Sequence, residues 1–286
     1  MKAAPGGPHG SATQGATPRG TTQGGTAPDG RAPRETARRG TARRGIATPA
    51  RIVGRPSGQP EPAGVPGRPG LVEFVLAALR DLYAVPEWVP RRPPVDELVL
   101  TILSQHTSDL NAERTFDRLV ARFPTWDDVA GARVETVAEA IASGGLAQQK
   151  APRIQAALRR IHDERGEYDL SFLGDMDARA ARDWLVRIDG VGPKTASVVL
   201  LFCFGLQLMP VDTHVHRVMS RIGLVPPRTP AERAHDLALD LFPAGSMYEA
   251  HVNLITHGRR TCTARNPACG RCTVAPRCRH VDPAAP

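Results

Sequence analysis

Hydrophobic residues recur at helical spacing through most of the chain from Leu71 onward. In 71–83 the apolar positions fall one, three or four residues apart, as on the buried face of an amphipathic helix. Similar patterns predict further helices at about 95–106, 110–123, 133–142, 148–164, 178–188, 193–205, 212–222, 230–242 and 247–258. No stretch alternates convincingly between apolar and polar residues as a strand would. The pattern therefore predicts an all-α protein of roughly ten short helices.

The N-terminal segment 1–70 has a different composition, rich in Gly, Pro, Thr, Ala and Arg with almost no large apolar residues. Such a segment cannot bury enough apolar surface to offset its ordering entropy, which predicts a disordered tail. It holds 11 of the 37 Lys and Arg residues and 3 of the 29 Asp and Glu residues, so the net charge of +8 lies entirely there. The tail is either a loose tether to DNA phosphates, a solubilising segment, or the result of a start codon assigned too far upstream.

Several classes of protein are disfavoured by what the chain does not contain. It has no run of 18 apolar residues, so no membrane span is expected. No apolar stretch follows the first charges, so a secretory signal is not expected and a cytoplasmic location follows. Of the five cysteines, four lie within 262–278, which favours a metal site in a reducing compartment over a disulfide framework.

The segment W-L-V-R-I-D-G-V-G-P-K-T-A-S-V-V-L at 184–200 predicts a helix, a tight hairpin and a second helix. Gly190 and Gly192 permit positive φ and the close approach of another backbone, and Pro193 suits the first turn of the second helix. The hairpin amides, with that of Val191 between the two glycines, form a candidate site for a phosphate oxygen. Many helix–helix corners look similar, so a purely structural corner is the alternative.

Lys194 and Asp212 are candidate chemical groups close to this hairpin. Lys194 lies at the first turn of the second helix, where the helix dipole and any burial disfavour a charged amine. Asp212, in V-D-T-H-V-H-R-V at 211–218, is predicted to be the N-cap of the next helix. On the simpler interpretation, Lys194 is a surface charge and Asp212 is only a helix cap. Against it, Lys is scarce: apart from Lys2, Lys150 and Lys194, every basic residue is Arg, which cannot act as an amine nucleophile.

The combination of I-D-G-V-G-P-K-T-A at 188–196 with V-D-T-H at 211–214 resembles the helix–hairpin–helix and aspartate signature of the endonuclease III superfamily of DNA glycosylases. The resemblance covers about residues 71–280, with the motifs in the family's order. It implies that Lys194 is the nucleophile and Asp212 its essential carboxylate. The implied fold is the all-α helix–hairpin–helix glycosylase fold, with two helical lobes and a C-terminal iron–sulfur loop.

The activity implied by the resemblance is that of a bifunctional DNA glycosylase and AP lyase of base excision repair. The implied partner is double-stranded DNA with damaged bases, by family default oxidised pyrimidines, or with abasic sites. The enzyme is expected to be monomeric and associated with the nucleoid. Two alternatives stay open: a monofunctional mismatch glycosylase for adenine or uracil, which uses water, and a non-catalytic DNA-binding module.

The C-terminal cysteines follow the pattern C-x6-C-x2-C-x5-C, in a loop rich in Arg, Pro and Gly. Their spacing alone does not choose between zinc and an iron–sulfur cluster, since both accept four thiolates. The pattern resembles the [4Fe–4S] loop of endonuclease III, which implies that the cluster ligands are Cys262, Cys269, Cys272 and Cys278. Arginines in and beside this loop form a candidate phosphate-binding surface, or simply a solvated charged face.

Two further segments resemble the rim of the family's base pocket. In I-L-S-Q-H-T-S-D at 102–109, His106 takes the place of a Gln that fills the gap left by the extruded base, and Asp109 matches an Asp at the pocket edge. In G-G-L-A-Q-Q-K-A at 144–151, Leu146 would wedge into the base stack. The simpler interpretations are a helix C-terminal histidine bonded to last-turn carbonyls, a helix cap and a core leucine, respectively.

The resemblance also divides the chain into domains. A helical barrel with the helix–hairpin–helix is expected at 95–210. The second lobe is expected to combine 71–94 with 211–286, which includes the cluster loop. Lys194 and Asp212 would then face each other across the cleft between the lobes.

Overall fold

The structure, a computed structural model, describes residues 64–285. This part of the chain is helical throughout, with no strand and only an isolated bridge between Val65 and Arg68. The expected all-α class is therefore confirmed. The tail prediction for residues 1–63 lies outside the described residues.

Residues 64–285 contain eleven α-helices joined by short loops and four single 3₁₀ turns. The helices are α1 (Leu71–Tyr83), α2 (Pro94–Ser104), α3 (Asp109–Arg122), α4 (Trp126–Gly131), α5 (Val134–Ala140), α6 (Ala147–Arg165), α7 (Ala178–Val186), α8 (Pro193–Phe204), α9 (Thr213–Ile222), α10 (Ala231–Leu241) and α11 (Met247–Arg260). None of the helices in 64–285 is both long enough and apolar enough to cross a membrane.

The hydrophobic pattern locates ten of these helices to within a few residues and misses α4. A helix of six residues is too short to display a 3.6-residue period. Its signal is instead a capping box: the Thr125 hydroxyl accepts from the Asp128 amide, and the Asp128 carboxylate accepts from the Thr125 amide. This T-x-x-D pattern is readable in the sequence.

Two hydrophobic cores lie on either side of α8. The first is built by buried side chains of α2 to α8 together with the segment that ends at Leu208. The second is built by α1, by α9 to α11, and by Val274 and Cys278 of the C-terminal loop.

Helix α8 is apolar around its whole circumference, which suits a helix packed on both sides. Val199, Leu200 and Cys203 belong to the first core, whereas Leu201 and Phe202 belong to the second. The buried length of α8 leaves only its first turn near solvent. Lys194 lies in that first turn, and the predicted hairpin lies just before it.

The start of α9 is held in place by its close packing on α11. Gly258 of α11 makes this approach possible, because a Cβ atom there would lie 2.9 Å from Cβ of His214 and 3.2 Å from Cγ2 of Val218. Real Cβ atoms essentially never show a contact as short as the first, and the second is tighter than most. The small residue therefore sets the position of the α9 N-terminus, where Asp212 lies.

Residues 64–70 were assigned to the tail, but the structure shows that they are folded. Arg68 is 1% exposed and donates from Nη1 to the Ile222 carbonyl at 2.7 Å and from Nη2 to the Arg277 carbonyl. Ile222 ends α9, so its carbonyl lacks a helical partner and the guanidinium supplies one. The prediction wrongly included residues 64–70 in the tail, because composition cannot show that one arginine caps a helix distant in sequence.

Candidate functional site

A cleft of about 390 Å³ opens where α2, α8 and α11 meet the loop before α9. Lys194 and Asp212 both line it, as does Asp109. The other predicted site residues lie outside its lining: His106, Leu146 and the hairpin at 190–192. The structure thus brings the predicted nucleophile and carboxylate into one opening, with the remaining residues on loops elsewhere.

Lys194 enters the cleft from the first turn of α8. Gly192 is the N-cap of that helix and Pro193 occupies its first turn, as predicted. The Lys194 side chain is exposed. The expectation that burial would desolvate this amine is therefore wrong for the protein alone, because the buried part of α8 begins only at the next residue, Thr195.

Asp212 is the N-cap of α9, as predicted. Its Oδ1 accepts from the Val215 amide at 2.7 Å, which fixes the carboxylate at the helix N-terminus. Its Oδ2 has no hydrogen-bond partner among residues 64–285. Asp212 is half-buried and lines the cleft, so one oxygen serves the helix while the other is available to a ligand.

His251 lies behind Asp212 and is buried. Its Nδ1 lies 3.0 Å from the Pro210 carbonyl oxygen, which requires a proton on that nitrogen. Burial lowers the pKa of His251 to about 4, and the negative charge of Asp212 offsets part of that effect. The ring is therefore neutral at physiological pH and adds no charge to the cleft.

The buried histidines predict a loss of stability in acid. His251 has a folded-state pKa of about 4, below the ordinary value of about 6.5. The unfolded chain therefore binds more protons between these values, so the free energy of unfolding falls as the pH drops through this window. For His251 the loss is on the order of 3 kcal/mol, and burial lowers the pKa of His235 in the same direction.

Urea unfolding at pH 7 and at pH 4.5 measures this effect. The variant His251→Gln is expected to show a clearly smaller loss between the two pH values than the unchanged protein. An equal loss in both proteins would show that His251 is not the group responsible.

The hairpin has the predicted shape at Gly190 and a different one at Gly192. Gly190 has a φ of 82°, which only glycine adopts freely, whereas Gly192 has a φ of −89°. A Cβ atom at Gly192 would meet nothing within 4 Å, so its surface is open. The Val191 amide donates to the Ile188 carbonyl at 3.0 Å. The Gly190 and Gly192 amides have no acceptor among the described residues, which leaves two donors for a phosphate.

His106 and Leu146 both stand on exposed loops with left-handed backbone. Their φ values are 56° and 52°, and Leu146 is 46% exposed. Leu146 is therefore not a core leucine, and the His106 ring has no carbonyl partner among residues 64–285. Both simpler interpretations are contradicted. Non-glycine residues in this conformation are strained, and such strain is concentrated at functional sites.

Lys150 connects the two loops, a role that the sequence did not predict. Its ammonium group donates to the Leu103 carbonyl at 2.7 Å and to the Gly144 carbonyl at 2.9 Å, and the residue is 1% exposed. Burial lowers the pKa of Lys150. The available signal was the scarcity of Lys. Here it marks a compact cation between two carbonyls, where a planar guanidinium does not fit as well.

Replacing Lys150 with methionine is expected to lower the free energy of unfolding by about 2–4 kcal/mol, since two buried carbonyls lose their donor. Urea denaturation followed by circular dichroism measures the change. Arg153→Met is the matched control on the exposed face of the same helix, with an expected change of about 0.5 kcal/mol or less. A similar loss in both variants would contradict the proposed carbonyl clamp.

Asp109 is not the N-cap of α3. That role belongs to Ser108, whose side chain accepts from the Asn111 amide. Asp109 instead accepts from Arg259 of α11 at 2.8 Å, and both residues line the cleft. The pair connects the two sides of the opening. Being well exposed, it contributes little stability by itself.

The four C-terminal cysteines line one small, largely apolar cavity together with His257. Nε2 of His257 lies 3.4 Å from Sγ of Cys272, and Nη1 of Arg221 lies 3.5 Å from Sγ of Cys262. Burial raises the pKa of Cys272 and Cys278. No three His, Cys, Asp or Glu side chains within 64–285 converge on a point suited to a single metal ion. The donor set, four sulfurs around one enclosed space, fits a thiolate-bound cluster.

The arginines near this loop are mostly free to meet phosphates. Arg260, Arg265, Arg271 and Arg279 are exposed. Arg277 differs, because it donates to the Gly70 and Pro69 carbonyls at 2.9 Å and so ties the loop to the start of α1.

Arg91 and Glu97 form a second feature of the cleft that the sequence analysis missed. Glu97 is 1% exposed, and its Oε1 accepts from Nη1 of Arg91 at 3.1 Å. Burial raises the pKa of Glu97, while the two adjacent arginines, Arg91 and Arg92, oppose the shift. An acidic residue at a buried position of the α2 pattern was the available signal.

Comparison with known families matches two segments of the chain. Residues 99–243 match the family described as HhH-GPD superfamily base excision DNA repair protein. Residues 262–278 match the iron–sulfur binding domain of endonuclease III.

Individual relatives agree with the family matches. Endonuclease III of Sulfolobus acidocaldarius is 34% identical over 185 residues, covering 64% of this chain and 80% of that protein. Endonuclease III of Synechocystis sp. is 36% identical over 193 residues, covering 67% and 82%. A candidate DNA glycosylase of Arabidopsis thaliana is 36% identical over 165 residues, which are 58% of this chain and 56% of that protein.

Solved structures of endonuclease III bound to DNA have the same fold. A non-covalent complex has a TM-score of 0.64 at 26% identity, covering 73% of this chain and 94% of that one. A trapped covalent intermediate has a TM-score of 0.63 at 28% identity, covering 73% and 95%. The protein is thus a DNA-binding base-excision glycosylase with a [4Fe–4S] cluster, and it belongs to the endonuclease III family of helix–hairpin–helix DNA glycosylases.

Proposed function

We propose that the protein is a bifunctional glycosylase and AP lyase that excises oxidised pyrimidines from double-stranded DNA and then nicks the strand. The observation that carries this proposal is the placement of Lys194 and Asp212 in one cleft. A primary amine and a carboxylate in the same opening are the two groups that the bifunctional reaction needs.

Lys194 acts as the nucleophile. Its neutral amine attacks C1′ of the damaged nucleotide, and the base leaves with the electron pair of the glycosidic bond and takes up a proton. Opening of the sugar ring gives a Schiff base between C1′ and the amine. Loss of the C2′ proton then expels the 3′ phosphate by β-elimination, and water releases the enzyme. Because Lys194 is exposed in the protein alone, bound DNA must supply its desolvation.

Asp212 stabilises the positive charge that develops on the sugar. Its Oδ1 is held by the Val215 amide, so the carboxylate is oriented before the substrate arrives. The partner-free Oδ2 accepts and returns the protons of the later steps. Because the ring of His251 is neutral, it does not compensate the negative charge of the Asp212 carboxylate.

The remaining predicted residues hold the DNA. The Gly190 and Gly192 amides receive a phosphate near the N-terminus of α8. Val191 between them is buried and its amide is already bonded to Ile188, so it supports the hairpin and does not donate. His106 and Leu146 enter the duplex from the two loops and fill the gap that the extruded nucleotide leaves. Such insertion offsets part of the unstacking free energy, a few kcal/mol. Asp109 with Arg259 closes one edge of the pocket.

Cys262, Cys269, Cys272 and Cys278 are the proposed cluster ligands. When bound, the cluster would supply a rigid centre for a loop that has too small a core to fold alone. Its role is structural: it fixes the exposed arginines around it as a phosphate-binding surface.

Further support comes from the trapped endonuclease III–DNA covalent intermediate, a structure 28% identical to this chain. A covalent enzyme–DNA link is the expected consequence of an amine nucleophile. The pyrimidine preference rests on the resemblance to endonuclease III. We also propose that the enzyme acts as a monomer on the nucleoid in the cytoplasm.

A panel of duplex oligonucleotides with defined lesions tests this function. Oxidised pyrimidines, adenine mismatches, uracil and abasic sites are each scored separately for base release and for strand cleavage. The proposal expects both reactions on an oxidised pyrimidine and cleavage at the abasic site. Base release without cleavage would favour a monofunctional mismatch glycosylase, and binding without either reaction would favour a non-catalytic module.

A further inference from the structure

Arg91 projects into the cleft from the segment just before α2 and is held there by three contacts. Its amide donates to the Phe202 carbonyl at 3.0 Å. Its guanidinium carbon lies 3.8 Å from the centre of the Phe202 ring, and Nη1 donates to Oε1 of Glu97 at 3.1 Å. Stacking on a ring and pairing with a carboxylate together fix the plane of the guanidinium.

Glu97 shows that this arrangement is built into the fold. Its side chain is 1% exposed, and a buried carboxylate is costly unless cations surround it. Arg92 lies on its other side, with Nε 3.3 Å from Oε2. Glu97 thus lies between two guanidinium groups and acts as a positioning residue for Arg91.

The donors of Arg91 are not used up by these contacts. The side chain is 43% exposed, and of its five N–H donors only Nη1 has an acceptor among the described residues. Arg91 also lines the same cleft as Lys194 and Asp212. Arg92 differs in that its Nη2 donates to Glu113 at 3.0 Å and its side chain is absent from the lining of the cleft.

A fixed guanidinium in the same cleft as Lys194 and Asp212 selects for hydrogen-bond acceptors. Arginine donates only, and its planar fork matches carbonyl oxygens and ring nitrogens on the edge of a nucleobase. We propose that Arg91 reads the extruded base by donating hydrogen bonds to its carbonyl edge, with Glu97 holding the guanidinium in place. This proposal rests on the proposed function, because it needs a base to enter the cleft.

Separate assays of the two reactions test Arg91, because an abasic site has no base to read. Arg91→Met is expected to slow base release from an oxidised pyrimidine by roughly 10–100-fold under single-turnover conditions. Strand cleavage at a preformed abasic site is expected to stay within about threefold, since it needs only Lys194 and Asp212. The split between the two rates is the signature of base recognition.

Arg92→Met is the matched control, because it also removes a cation from Glu97 while its own side chain is absent from the lining of the cleft. Both of its rates are expected to stay within about threefold of the unchanged protein, a range too small to indicate a lost base contact. Arg91→Lys keeps the charge beside Glu97 but loses the fork, so base release is expected to fall by at least about fivefold. This variant carries the test if Arg91→Met does not fold.

Two results would overturn the proposal: unchanged base release in the Arg91 variants, or an equal fall in base release and abasic-site cleavage. An unchanged protein that releases no base from any lesion would overturn the proposed function, and the role of Arg91 with it. If the unchanged protein carries out both reactions and the Arg91 variants release the base equally fast, the Arg91 proposal alone is overturned.

Discussion

Replacing Lys194 with alanine is expected to abolish both the borohydride-trapped protein–DNA adduct and strand cleavage at an abasic site. The reason is chemical: β-elimination proceeds through a Schiff base, and no Schiff base forms without a primary amine. A fall of roughly 10³-fold or more in cleavage rate is expected for loss of a covalent nucleophile. Gel electrophoresis of the trapped adduct and of the cleaved strand measures the two effects.

Lys194→Arg is the matched control for this prediction. It keeps the positive charge at the start of α8 but supplies no nucleophilic amine, so it is expected to bind DNA and still form no adduct. The chain contains only Lys2, Lys150 and Lys194, which makes peptide mapping of the adduct unambiguous. An adduct that persists in both variants, or one that maps to Lys150, would contradict the assignment.

The second large effect is expected for the cluster loop. Cys272→Ala removes one of four thiolates from the shared cavity, so the purified protein is expected to lose most of its iron and its absorbance at about 400 nm. Because metal binding and folding of such a loop are coupled, affinity for DNA at low salt is also expected to fall. Iron analysis, the absorption spectrum and a binding titration measure these changes.

Cys203→Ala is the control for the loss of a cysteine as such. Cys203 lies in the buried part of α8 and is 7% exposed, and burial raises the pKa of its thiol, as expected for an inert core residue. This variant is expected to keep its full iron content while losing some stability. Loss of iron from Cys203→Ala, or retention of it in Cys272→Ala, would contradict the ligand assignment.

Local sequence signals are enough to predict ten of the eleven helices and both chemical motifs. The helical period places α1 and α8 to α11 because each buries one or more apolar faces, and that requirement is written locally. Gly190, Pro193 and the N-cap Asp212 are also local signals, since a positive φ, a first-turn proline and a capping carboxylate depend only on neighbouring residues. The cysteine spacing likewise marks a metal loop without any knowledge of the fold.

Which of these residues meet, and how much water reaches them, depends on how the helices pack in three dimensions. The packing brings Lys194 and Asp212 into one cleft and leaves the amine exposed. It also pairs Asp109 with Arg259, whereas Ser108 caps α3. Arg68 and Lys150 likewise bind carbonyls that are distant in sequence. The Arg91–Glu97 pair is close in sequence, but its importance comes from the burial of Glu97. Burial and long-range pairing are properties of the packed chain, because they are set by which helices lie against each other.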